Sequence, residues 1–276
     1  MSGGYEFVGG IGSSQDFPWI NAAAHREQIC RFLKSATQRD HPTLCVLGAG
    51  ACTDLAIESL LETFASITLV DLDGELLEQA LKGRQLDSFE QIEVIGGLDV
   101  SGAHSLLKQY GERPSGELLA EIKNVASTAK LPQLQQYDVI VSTCLLSQLQ
   151  HHVFENVEKD EETLAELLAI SRRRHLQLLI EHAKPGGGAI LVTDFTSSEA
   201  LPELAGSGFD VSESSWQKIL KGNHFHGMNP LGIIHDLDHD EHLQKMLEKQ
   251  FTSRPWVWNA TERLYACMAF YMVKKS

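Results

Sequence analysis

Gly48-Ala49-Gly50 closes the apolar run Thr43-Leu44-Cys45-Val46-Leu47 and precedes a helix-like stretch beginning at Asp54. A glycine turn between a buried strand and a helix lets the backbone approach a ligand and aims helix N-terminal amides at it. Tight turns also use such glycines for purely structural reasons. Position adds weight here. Asp71 ends the next apolar run, Ser66-Ile67-Thr68-Leu69-Val70, twenty-one residues after Gly50. A carboxylate at that point can accept hydrogen bonds from both hydroxyls of a ribose. Asp73 is suited to cap the following helix, which leaves Asp71 for a ligand. The dinucleotide fingerprint Gly-x-Gly-x-x-Gly fails at its last glycine, where Thr53 stands, so a nicotinamide or flavin site fits poorly.

A second group of candidates follows the apolar run Tyr137–Val141: Thr143-Cys144-Leu145-Leu146-Ser147-Gln148-Leu149-Gln150-His151-His152. Imidazole titrates near neutrality, so His151 or His152 is a candidate general base, set against the commoner role of a helix-terminal or surface histidine. Cys144 has no proline before it and no second cysteine motif, and reads as a packing residue. Farther on, His224-Phe225-His226 and His235, His239 and His242 invite a metal reading, since His235 and His239 would share one helix face. Gly232 and the acids Asp236, Asp238, Asp240 and Glu241 favour a polar loop leading into a helix, and no metal site is assigned.

The elements that must position these residues alternate. Five strands are expected at Thr43–Leu47, Ser66–Val70, Gln91–Ile95, Tyr137–Val141 and Ala189–Thr193. Helices are expected from Pro18 to about Ala36, Glu75 to about Leu81, around Ala103–Tyr110 and Ser115–Ala129, over about Glu161–Ala183, and near Glu241–Gln250. Alternation of this kind builds a parallel sheet covered on both faces, with ligands at the carboxyl ends of its strands. The tail differs: Trp256-Val257-Trp258 and Leu264–Val273 are strand-like and separated by only five residues. That gap is too short for a helical crossover, so the pair must be antiparallel. Phe17 and Trp19 either cover the site as a lid or staple the first helix to the core.

The 276 residues, 43% of them hydrophobic, suffice for one large core. No apolar stretch of about eighteen residues suggests a membrane span. The N-terminus has neither a basic n-region nor an apolar h-region, which makes the cytoplasm the expected location. Five scattered cysteines fit buried reduced thiols. The net charge of −14 repels polyphosphate and argues against a nucleic-acid partner. The one dense basic run, Arg172-Arg173-Arg174, reads as a solvated helix face.

Several of these stretches together resemble the class I S-adenosylmethionine-dependent methyltransferases. Cys45-Val46-Leu47-Gly48-Ala49-Gly50-Ala51-Cys52 is similar to that family's first motif, and Thr68-Leu69-Val70-Asp71 to its ribose-binding strand end. Leu98-Asp99 is similar to the acid that meets the adenine amino group, and Tyr137–Leu145 to the fourth-strand motif. Lys184-Pro185-Gly186-Gly187-Gly188-Ala189-Ile190-Leu191 resembles the proline-glycine turn before the fifth strand. The likeness covers about residues 40 to 200.

The resemblance implies an α/β fold: a doubly wound, mostly parallel sheet of about seven strands with an antiparallel C-terminal pair. It divides the chain into an N-terminal helical cap (1–40) and a Rossmann-like domain (41–276), with a helical insertion near 100–136 and a His-rich segment near 216–251. The implied cofactor is S-adenosyl-L-methionine. Gly48, Ala49 and Gly50 would lie under its methionine part, Asp71 and Leu72 at the ribose, Leu98 and Asp99 at the adenine, and Thr143, Cys144 and Leu145 near the sulfonium. The implied reaction is in-line methyl transfer to a small-molecule acceptor, with a homodimer as one assembly. No Asn-Pro-Pro-Tyr or Asp-Pro-Pro-Tyr follows the fourth strand, which argues against acceptors that are nucleobase amino groups. Two positions depart from the pattern: Val46 stands where the family has an acid, and Cys52 where it has a glycine. A protein that binds S-adenosylmethionine or S-adenosylhomocysteine without transferring methyl, and a nucleotide-dependent oxidoreductase, are the alternatives.

Overall fold

The computed structural model describes residues 22–157, 160–205, 213–222, 224–260 and 263–276. Phe17 and Trp19 lie outside these residues. Among the described residues, eight strands form one sheet: β1 (Thr43–Leu47), β2 (Ser66–Asp71), β3 (Ile92–Gly96), β4 (Tyr137–Thr143), β5 (Ala183–Ser197), β6 (Leu247–Thr252), β7 (Trp256–Ala260) and β8 (Arg263–Lys274). The helices that matter for the site are α1 (Ala23–Ser35), α2 (Ile57–Leu61), α3 (Gly74–Gly83), α4 (His104–Glu112), α5 (Gly116–Thr128), α6 (Leu145–Val157) and α7 (Glu161–Glu181). The shorter α8 (Glu213–Lys221), α9 (Pro230–His239) and α10 (Glu241–Met246) follow.

The sheet order is β3-β2-β1-β4-β5-β8-β6, with β7 also on β8. The first five strands are parallel, and β8 is antiparallel to β5. Both β6 and β7 pair antiparallel with β8, β6 along Phe270–Lys274 and β7 along Arg263–Cys267, so they share one edge as a strand interrupted at residues 253–255. Seven strand positions result, as expected, with the 256–258 and 264–273 segments as antiparallel neighbours.

Burial explains the sheet. All seven residues of β4 are buried, as a central parallel strand covered on both faces requires. Ile29 and Leu33 of α1 are fully buried in the same cluster as Leu44 and Val46 of β1, so this helix shares the core of the sheet. Each such leucine contributes roughly 1.5–3 kcal/mol by leaving water. Helix starts are set by side-chain caps: Asp73 accepts from Leu76 N at 2.9 Å, Ser115 from Leu118 N at 3.2 Å and Asp160 from Thr163 N at 3.2 Å.

Three expectations need correction. The helix expected over Glu241–Gln250 stops at Met246, and Leu247–Thr252 is an edge strand. The polar loop expected around His235 is itself helical, α9, with Asn229 as its cap and Pro230 in its first turn. The Arg172–Arg174 run is not a solvated face. Arg172 Nε donates to Asp236 Oδ2 at 2.6 Å and Nη1 to Gly227 O at 2.8 Å, which ties α7 to α9. Arg174 is buried and donates to Ala129 O and Glu181. No helix among the described residues is long and apolar enough to cross a membrane.

Candidate active site

The turn after β1 docks on the end of β2: Gly48 N and Ala49 N donate to Val70 O at 2.9 and 3.1 Å. Gly48 has φ +73°, and a Cβ there would lie 2.6 Å from Leu145 Cβ, so the close seat of α6 requires glycine. Gly50 has φ +49°, and a Cβ placed on it would meet nothing within 4 Å. Its face is an open cradle. Ala49 turns its side chain into the core and leaves its backbone to the turn. Cys52 holds φ +55°, so the chain keeps the left-handed path that a glycine would take, with the thiol side chain buried.

Asp71 is the pivot of this turn. Its Oδ2 accepts from Gly50 N at 2.7 Å and its Oδ1 from Asp73 N at 2.9 Å, while Asp73 caps α3. Each carboxylate oxygen keeps a further lone pair for a ligand. Asp99 is similarly engaged: Oδ1 accepts from the amide and hydroxyl of Ser101, and Oδ2 from His104 N at 2.9 Å. This second duty, organising the entry to α4, has no signature in the residue pattern.

Gly48, Asp71, Leu72, Leu98, Asp99, Leu145 and His151 all line one cleft of about 320 Å³. Leu72 is 46% exposed there. Thr143 is buried beside this cleft, its Oγ1 3.5 Å from Gly48 O. Cys144, at φ +51°, lines instead a second cavity of about 280 Å³, together with Ser147, Phe154, Asp194, Phe225, Trp258 and Tyr265. Gln148 and His151 line both.

The two adjacent histidines separate in role. His152 Nε2 lies 3.0 Å from His104 O, and its ring stacks on His104 at 4.3 Å, which ties α6 to α4. His151 stands at the junction of the two spaces, with Nε2 3.2 Å from Glu155 Oε1 one turn along the helix. Of the later histidines, His224 and His226 line the second cavity, and His226 stacks on Phe154 at 4.3 Å. His235 and His239 do share a helix face, as the spacing predicted, and stack on each other at 4.3 Å. His242 lies 3.5 Å from Glu181.

Sequence reasoning missed Asp194, Asp54 and His25. Asp194 is a carboxylate inside an apolar run of β5. It is 6% exposed, accepts from Ser147 Oγ at 2.6 Å, and burial raises its pKa. Burial likewise pushes Asp54 up to about 6. His25 is buried between Trp258, stacked at 4.5 Å, and Trp256, and burial with Arg26 beside it brings its pKa down to about 3. Asp194 was readable, as an acid within Ile190–Phe195. His25 was not, because only tertiary packing brings it to residues 256–258.

Compared by sequence, the chain matches no protein family and no curated protein. Solved structures superpose over most of its length. The N-methyltransferase NodS from Bradyrhizobium japonicum WM9 is 11% identical, over 95% of this chain and 99% of that one, with a TM-score of 0.45. The magnesium protoporphyrin IX methyltransferase ChlM of Synechocystis PCC 6803, with bound SAH, is 11% identical over 97% and 90%, with a TM-score of 0.47. A possible exported protein from Bordetella parapertussis is 13% identical over 93% and 69%, with a TM-score of 0.48. At these scores the superpositions add nothing to the strand order. Five parallel strands in Rossmann order, a glycine turn after the first, and an antiparallel strand set beside the fifth give this chain the fold of the class I S-adenosylmethionine-dependent methyltransferases.

Proposed function

We propose that the chain transfers a methyl group from S-adenosyl-L-methionine to a small-molecule acceptor. The observation that carries this reading is the junction of two spaces at the carboxyl ends of the strands. One gathers Gly48, Asp71, Leu72, Leu98, Asp99 and Leu145, the other is walled by aromatic side chains, and Gln148 and His151 belong to both. The residues fit the cofactor: Gly50 offers an open cradle, and the oxygens of Asp71 retain acceptor capacity toward a ribose. When bound, the cofactor supplies an electrophilic methyl on a sulfonium, already a good leaving group, so positioning dominates the work left to the protein.

Asp71 holds the ribose and Asp99 lies at the adenine end. Phe154, Phe225, Trp258 and Tyr265 hold the acceptor by its apolar faces and keep water out. His151 serves as general base where the acceptor's reacting atom carries a proton. Glu155 Oε1, 3.2 Å from Nε2, stabilises the ring once it has taken the proton. Cys144 is a thiol here, its pKa raised by its contact with Cys267 and by burial, and acts as wall and not as nucleophile.

Calorimetry with S-adenosylmethionine, S-adenosylhomocysteine and NAD tests the cofactor. Binding of the first two and not the third is expected, and binding of NAD alone overturns the reading. Turnover with a radiolabelled methyl donor over a panel of small acceptors then separates a transferase from a protein that only binds. Asp71→Ala should weaken cofactor binding about tenfold to several hundredfold, since each charge-assisted hydrogen bond contributes roughly 1.5–3 kcal/mol. The same change frees Gly50 N and Asp73 N, so its circular dichroism must be checked. Asp73→Ala, which removes only a helix cap, should do much less. Unchanged affinity in a folded Asp71→Ala protein would remove Asp71 from the site.

A further inference from the structure

The aromatic-walled cavity carries polar groups that its walls do not need. In the sheet register Asp194 lies opposite Cys267, and Trp258 lies opposite Tyr265, two residues earlier on β8. These four side chains therefore share one face of the sheet. Helix α6 closes that face. Ser147 Oγ donates to Asp194 Oδ1 at 2.6 Å. Gln150 follows three residues later, about 4.5 Å farther along the helix axis. Asp194, Gln150 and Trp258 all line the cavity.

The charges of this space do not balance. Among the described residues, Arg263 is the one lysine or arginine that lines the cavity, and Glu199 engages it at 2.7 Å. Asp54 adds a second negative charge near Asp194 and has Arg26 beside it. His25, stacked behind Trp258, is neutral because burial brings its pKa down to about 3. His151 faces Glu155, and His226 lies flat on Phe154. Asp194 is left with the Ser147 hydroxyl, a backbone amide and the Cys144 thiol, and with no cation. Two neighbours are unmatched as well. Gln150 is 2% exposed, and neither its amide oxygen nor its amide nitrogen has a protein partner. The Trp258 indole N–H has none either. Gln150 is not a stray side chain, since a Cβ on Gly227 would collide with its amide oxygen, and the glycine makes room for it. Buried polar atoms are ordinarily paired, so this set points to a ligand that completes it.

An anionic ligand would meet Asp194 with no cation to offset it. A wholly apolar ligand would leave the carboxylate, the amide and the indole N–H unmatched in a dry space. A cation answers the carboxylate with charge-assisted hydrogen bonds, and the faces of Trp258 and Tyr265 attract it further. The aromatic walls ask for a flat body behind that charge. We infer that the acceptor is a small aromatic amine, bound as its ammonium ion with Asp194 as counter-ion. Its ring lies among Phe225, Trp258 and Tyr265. Gln150 and the Trp258 N–H pair with a hydroxyl or carbonyl at the far end of the ring. The role of this amine as acceptor rests on the transferase reading above, whereas its binding does not.

The test uses tyramine, 4-propylphenol and 3-(4-hydroxyphenyl)propanoate, which share a phenol ring and end in an ammonium, a methyl and a carboxylate. Phenethylamine, which lacks the hydroxyl, is the fourth probe. Each is titrated calorimetrically into the full chain, with and without saturating S-adenosylhomocysteine. Tyramine should bind at least about tenfold tighter than 4-propylphenol, and the propanoate should bind weakest. Asp194→Asn keeps an oxygen for Ser147 and removes the charge. It should bring tyramine to within about threefold of 4-propylphenol while leaving S-adenosylhomocysteine within about twofold of the parent. Gln150→Leu should weaken tyramine about three- to tenfold and leave phenethylamine within about twofold. Equal binding of tyramine and 4-propylphenol overturns the assignment. So does a preference for the propanoate, a tyramine preference that survives Asp194→Asn, or no tyramine binding under either condition. Selective tyramine binding by a chain that ignores S-adenosylhomocysteine keeps the amine site and ends the transferase reading. Binding of S-adenosylhomocysteine without tyramine does the reverse. If Asp194→Asn does not fold, the order of the first three probes on the parent decides the charge, and Gln150→Leu decides whether tyramine occupies this cavity.

Discussion

His151→Asn should lower kcat by about a hundred- to ten-thousandfold, the range contributed by a positioned general base. The KM for the cofactor should hold, because the ribose and adenine contacts are proposed at Asp71 and Asp99. Glu155→Gln should cause a smaller loss, since it removes the carboxylate that stabilises the protonated ring and leaves the imidazole in place. The measurement is steady-state transfer of labelled methyl to the best acceptor found. If His151→Asn retains the parent kcat, the histidine is part of the cavity wall, and the acceptor reacts at an atom that carries no proton.

The second large effect is on stability, at the opposite end of the sheet from the site. Asp138 in β4 is 5% exposed and accepts four hydrogen bonds: from Arg39 Nη1 at 2.8 Å, Lys184 Nζ at 2.8 Å, and Thr43 N and Oγ1 at 2.9 Å each. Arg39 also reaches Pro185 O at 2.6 Å, so the cluster fastens the proline-glycine turn to β1 and β4. Asp138→Ala should destabilise the fold by about 3 kcal/mol, the lower end for a broken buried ion pair, since Arg39 and Lys184 are 44% and 36% exposed and partly recover in water. Burial by itself would raise the Asp138 pKa, but hydrogen bonds from Lys184, Thr43 and Arg39 outweigh it and hold the carboxyl well below the usual range. A depressed folded-state pKa stabilises above the unfolded value of about 3.9, and this contribution fades as pH falls through the folded value. Urea unfolding at pH 7 and pH 3 should therefore show the gap between parent and Asp138→Asn narrowing in acid. A gap that is constant or widens removes the charge from the explanation.

The parallel half of the fold was legible because its strands are short apolar runs that stop at glycine or aspartate. Gly48, Asp71 and Leu98-Asp99 could be placed in one cleft from those stops alone. The same logic failed at β6. Glu248, Lys249 and Gln250 give an edge strand no alternation to read, and after Glu241–Met246 they look like more helix. Arg172 and Arg174 were misread because charge in a helical pattern is ordinarily solvated, and nothing local announces Asp236 or Ala129 O as partners. The burial of His25 was invisible for another reason. It depends on α1 docking against β7, a contact between residues more than two hundred positions apart.

The break between β6 and β7 bears on how copies of this chain can meet. Along this outer edge, Ser253 keeps the inner strand satisfied: its N–H donates to Ala269 O at 2.9 Å, and its Oγ accepts from Ala269 N at 3.0 Å. Pro255, two residues on, has no N–H to offer. The edge therefore presents two short, offset ladders and no continuous row of amides and carbonyls. A neighbouring copy has too little to zip onto, which protects the chain from sheet-to-sheet aggregation despite an apolar Phe251 that is 55% exposed there. Copies of this protein that met across this edge would have to be joined through helices or through side chains, and not by extending the sheet there.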